Sequence, residues 1–175
     1  PVTLHAQVTE VRRIRDMTSL RLGNIEARTG LFAPAAPSSD ASVIAGVGFN
    51  IALRRLPEGG GLVFSTVLEL TGDDLSAVRS AVGRTDRPWE MVLGVQVDKV
   101  GLANGLDIGD VEFFVAAGQA AHPSDMAAVR ISDEGTMQRL IAKSIRDPGG
   151  SIVFSSPSGL STFVLLQRST GAGTP

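Results

Sequence analysis

A strand-rich, two-layer α+β domain is what this 175-residue sequence predicts. Three observations carry the prediction. Short apolar stretches alternate with period two, as half-buried strands do. Only two stretches show helical spacing. From residue 62 onward the elements run β, α, β, β, α, β, β, the order of a split βαβ, ferredoxin-like arrangement with added hairpins. A β-sandwich with two packed helices is the alternative. The centre of the prediction is residues 88–121, which hold the single tryptophan, Trp89, and the apolar runs Glu90–Val100 and Leu106–Ala117. Gly101 and Gly105 lie between the runs, and Gly109 follows just inside the second. Glycines so closely spaced mark a turn, so two central strands joined by a glycine-rich connection are expected.

Taken in order, Val2–Ile14 alternates in part and is rich in Val and Thr, which predicts a strand. Thr18–Ala27 is its expected partner across a turn near Asp16. Leu31–Ser42, with Pro34, Pro37, Ser38 and Ser39, is expected to be an extended arm. Val47, Phe49, Ile51 and Leu53 alternate on a strand, and Leu62–Leu70 is its predicted hairpin partner around Pro57–Gly61. Thr71 and Asp73 suit the N-terminus of a short helix ending at Val82, with Gly83 as its stop. Residues 119–131 show little periodicity and are expected to be a long connection. A second helix is predicted from Asp133 to Arg146, capped by Ser132, with Met137, Leu140, Ile141, Ser144 and Ile145 facing inward. Ile152–Ser155 and Leu160–Gln167 form a predicted last hairpin around Pro157–Gly159. Residues 1–42 are thus a strand pair and arm, 43–168 a single α+β domain, and 169–175 a small polar tail that would fray alone. Trp89, Leu93, Val95, Val111, Phe113, Leu140 and Ile141 are the expected core.

Composition narrows the function. Hydrophobic residues make up 43% and charged residues 19%, so the chain is globular and its surface sparingly charged. Part of that surface is expected to lie against another chain. Charge is unevenly spread: residues 1–55 hold seven arginines against four carboxylates, a balance of +3, and the rest balance at −5. Pairing between regions, or between neighbouring copies, follows. Cysteine is absent, which excludes disulfides, a thiol nucleophile and Cys-ligated metal. No run approaches the roughly 18 apolar residues of a membrane-spanning helix, so no membrane partner is expected. A virion or cytoplasmic location is expected, with a secreted or periplasmic one as the alternative if a signal preceded Pro1.

The chemistry-bearing residues are few. His5 and His122 stand apart and have no partner at ligand spacing, so neither metal nor cofactor is expected. Asp107, Asp110 and Glu112 cluster after the glycines and are the best case for a hydrolase. Turn-capping by the two aspartates and a solvent-facing glutamate explain them as well. No Gly-rich phosphate motif and no nucleophile elbow occurs. Arg12, Arg13 and Arg15 are able to touch phosphates, but no interleaved aromatics support base stacking, so nucleic acid is a weak candidate partner.

Leu93-Gly94-Val95, then Gly105-Leu106-Asp107-Ile108-Gly109-Asp110-Val111 and Gly118-Gln119, resembles the pattern of PDZ domains over residues 90–167. The resemblance implies a peptide C-terminus held by Leu93, Gly94 and Val95, with Met137 and Ile141 lining the groove. The stronger expectation is a non-catalytic structural protein that assembles with copies of itself, and with other structural proteins of the same particle, as a viral or phage coat, decoration or tail component. Arg12, Arg13, Arg15, Phe32, Pro34 and Pro37 are its expected interface.

Overall fold

The computed structural model describes residues 2–14, 17–33, 44–67, 69–117, 123–146 and 151–169. Among these residues, eleven strands and one α-helix run in the order β1 (Val2–Ile14), β2 (Met17–Thr29), β3 (Ile44–Leu53), β4 (Gly61–Val67), α1 (Gly72–Val82), β5 (Trp89–Val100), β6 (Ile108–Ala117), β7 (Met126–Ile131), β8 (Met137–Arg139), β9 (Ile141–Arg146), β10 (Ser151–Ser156) and β11 (Thr162–Arg168). They make two antiparallel sheets. One has six strands in the order β1-β2-β3-β6-β10-β9, and the other five in the order β4-β5-β11-β7-β8. The mostly-β, two-layer character read from the sequence is correct.

The core lies between the sheets. Val47, Phe49, Ile51, Val111, Phe113 and Phe154 from the larger sheet meet Leu93, Val95, Phe163 and Leu165 from the smaller. Phe49 and Phe163 meet edge to face at 5.0 Å between ring centroids, and Phe113 stacks on Phe163 at 5.6 Å. Burying each such side chain contributes about 1.5–3 kcal/mol. The outer face of the smaller sheet is also covered, because Val78 and Val82 of α1 pack on Trp89, Val129, Val164 and Leu166. The helix forms where the sequence placed it. The Thr71 hydroxyl accepts the Asp74 N–H at 3.2 Å, and Asp73 and Asp74 occupy its first turn. It stops at Gly83, whose φ of 86° lies in the region that favours glycine.

Pairing departs from the sequence reading. The predicted hairpins β3/β4 and β10/β11, and the central pair β5/β6, are each split between the two sheets. Leu62 and Phe64 do face the same core as β3, but from the opposite layer. Alternation tells which face of a strand is buried; it does not tell whether the next strand pairs beside it or packs across from it. Residues 119–131, expected to be a connection, contain β7. Its outward side chains are buried under α1, so no alternation marks it.

The helix predicted at 133–146 does not exist, and the split βαβ arrangement, which needs two helices, goes with it. Ser132 and Thr136 instead close a turn between β7 and β8, with the Ser132 N–H donating to Thr136 O at 2.8 Å and Gly135 at φ 81°. The chain then crosses to the larger sheet at Leu140, which is 3% exposed, and continues as β9 with Ile141 78% exposed. The apolar spacing imitated a helix because two strands in different layers contributed to it. Asp133, expected at a helix start, receives the Ser161 hydroxyl at 2.7 Å and Lys99 Nζ at 3.0 Å. These bonds tie the β7–β8 turn to the start of β11. No helix among the described residues is long and apolar enough to cross a membrane.

Candidate functional site

The first two strands form a ribbon that outruns the body. β1 and β2 pair from Val2 opposite Thr29 to Ile14 opposite Met17. β2 meets β3 only through Ile25–Arg28, opposite Leu53–Asn50. Beyond Ile25, Val8–Ile14 and the facing part of β2 pair only with each other among the described residues. Seven residues at about 3.3 Å each make this stretch roughly 20 Å long. Register shifts at Val8 strengthen the local twist. A two-stranded ribbon standing alone is marginally stable in water. Its Val11 side chain is exposed, as is Leu4 on the part of β1 that lies beside the body.

The expected interface residues divide. Arg12 and Arg13 belong to the part of β1 beyond the β2–β3 pairing, opposite Ser19 and Thr18. Arg15, Pro34 and Pro37 lie outside the described residues, as do residues 34–43 of the arm, His122 and the tail beyond Ser169. Phe32 is partly buried and packs in its own chain. Its backbone exchanges hydrogen bonds with Val47 at 2.7 and 3.0 Å, and its ring stacks on Phe64 at 5.6 Å.

The three acidic candidates are not brought together. Asp107 is buried in the turn before β6, where its carboxylate accepts Arg55 Nε at 2.5 Å and the Ala103 N–H at 2.9 Å. The Arg55 guanidinium first, and the Ala103 N–H second, hold this carboxyl below the ordinary aspartate range. Asp110 and Glu112 instead stand on the outer face of the six-stranded sheet. They line an open depression of about 570 Å³ with His5, Glu26, Arg28, Asn50 and Lys143. Asn50 Nδ2 donates to Glu112 at 3.4 Å, and Arg28 lies over the Phe114 ring at 5.5 Å. The lining interleaves carboxylates with cations and holds no hydroxyl or thiol nucleophile, which suits polar contact with a protein surface. No group of three or more His, Asp or Glu among the described residues is arranged to hold a metal ion.

The peptide groove implied by the PDZ resemblance is not formed. Leu93, Gly94 and Val95 sit in the middle of β5, with Gly94 opposite Val67 of β4 on one side and Val164 of β11 on the other. Both edges of that strand are therefore occupied, so it has none to offer a peptide. Met137 lies on β8 and Ile141 on β9, in different sheets, and no helix joins them.

One feature escaped the sequence reading: the outer edge of β4. It is seven residues long, contains no charge or proline, and pairs with β5 without a register shift. The uncharged run Gly61–Val67 was the available signal. No protein family, curated protein or solved structure matches this chain.

Proposed function

We propose that this chain is a non-catalytic structural protein that assembles with copies of itself into a larger particle, of the kind that coats, decorates or forms the tail of a virus or phage. The observation that carries the reading is the β1–β2 ribbon. Beyond Ile25 its two strands pair only with each other among the described residues, which leaves their outer edges open to a further strand. The basic balance of residues 1–55 against the acidic remainder supports contact between copies. Asp107, engaged by Arg55 and the Ala103 N–H, favours a turn-holding role over an acid–base one. The accompanying fold reading is a β-sandwich carrying one helix, supported by the core shared between the sheets.

Sedimentation of the full-length chain tests the function. Oligomers are expected, with contacts burying more than about 1,000 Å². A monomer persisting at high concentration overturns it.

A further inference from the structure

The four sheet edges are not equally protected. β1 carries Glu10, Arg12 and Arg13, β9 carries Lys143 and Arg146, and β8 is three residues long. Shortness discourages pairing with a foreign strand, and charge discourages it unless the partner strand lies among charges of the opposite sign. β4, with the sequence Gly-Leu-Val-Phe-Ser-Thr-Val, has neither, and no described residue pairs with its outer edge. Val63 and Ser65 are exposed along it.

Carboxylates frame this neutral edge. Glu58 precedes β4 in its turn, and Glu69, Asp73 and Asp74 follow it. Asp98 stands opposite Val63 on β5, and all five are exposed. The ribbon has the opposite character, since residues 8–22 contain four arginines and two carboxylates. The lengths also agree: Val8–Ile14 spans seven positions, as does β4.

We infer that β1 of one copy, through Val8–Ile14, adds to the free edge of β4 in the next copy and extends that copy's five-stranded sheet. The inference rests on the self-assembly reading and names the surfaces that meet. Backbone hydrogen bonds supply the pairing, and the arginine-rich ribbon against the acidic frame supplies direction. Each copy then offers one donor ribbon and one acceptor edge. Such a head-to-tail contact repeats into a ring or a filament.

The native chain has no cysteine, so single cysteines report cleanly on the contact. Full-length Val11→Cys and Ser65→Cys proteins are treated with a bifunctional maleimide, separately and mixed. A covalent dimer that needs both variants is expected. Ser65→Lys, which sets a cation against the basic ribbon, is expected to abolish assembly while the melting temperature of the subunit stays unchanged. An assembling protein in which Val11→Cys links only to itself, or in which the mixture gives no heterodimer, overturns this docking and leaves self-assembly standing. So does a Ser65→Lys variant that still assembles. A native chain that remains monomeric removes both readings.

Discussion

The side chain of Asn104 satisfies both backbone groups of Leu160. Its Nδ2 donates to the Leu160 carbonyl at 2.7 Å, and its Oδ1 accepts the Leu160 N–H at 2.9 Å. One amide thereby acts as a strand partner between the loop after β5 and the crossing from β10 to β11. Gly159, at φ 80°, makes the approach possible, because a Cβ there would lie 2.3 Å from Asn104 Oδ1. Leu160 is fully buried, so its N–H has no access to water once Asn104 is lost. Asn104→Ala is expected to destabilise the fold by about 1–3 kcal/mol in urea unfolding. Gly159→Ala is expected to destabilise it too. A neutral result for both would show that the crossing is held elsewhere.

Leu140 and Ile141 separate the observed strands from the helix that their spacing suggests. Leu140 fills the core where the chain changes sheets, and its N–H donates to Ala128 O at 2.8 Å. Leu140→Ala is expected to cost about 2–5 kcal/mol. Ile141→Ala, at an exposed position, is expected to stay within about 0.5 kcal/mol of the native protein. Equal losses at the two positions, measured as urea midpoints, would contradict the strand assignment.

Acid should weaken the fold through two aspartates. Asp107 is held low by Arg55 and the Ala103 N–H, and Asp133 by the Ser161 hydroxyl and Lys99. Both titrate below the about 3.9 of an unfolded aspartate. The folded state therefore gains stability that is complete above that value and lost as pH falls through the folded one. Urea midpoints should hold steady from neutral pH to about 5 and then drop. Asp107→Asn should flatten part of that drop and lower stability at neutral pH. An unchanged pH profile in this variant would remove Asp107 from the account.

Shortening the ribbon is a cleaner test of assembly than removing residues 1–42. Complete removal also takes Ile25, Ala27 and Phe32 from the core and its margin, so it would unfold the body. Replacing residues 8–22 with a short turn keeps Ile25–Arg28 beside β3. That variant is expected to stay folded by circular dichroism and to sediment as a monomer. Assembly equal to that of the native chain would exclude the ribbon as the contact.

Alternation along the chain marks the apolar face of strands such as β3 and β6, and with it a large part of the core. Val95, Val111 and Phe113 are all fully buried, as expected from alternation. The sequence by itself also determined α1, because a hydroxyl cap, early aspartates and a terminal glycine act locally. That β3 and β4 face one another across the core follows from long-range packing, since period two is the same for a pair within a sheet and a pair across it. Only the tertiary structure separated Asp107 from Asp110 and Glu112, by folding the first into a turn and turning the others outward. The ribbon's two strands were legible in the sequence. Its reach beyond β3, and the open edge of β4, depend on where neighbouring strands end, which residue types do not encode.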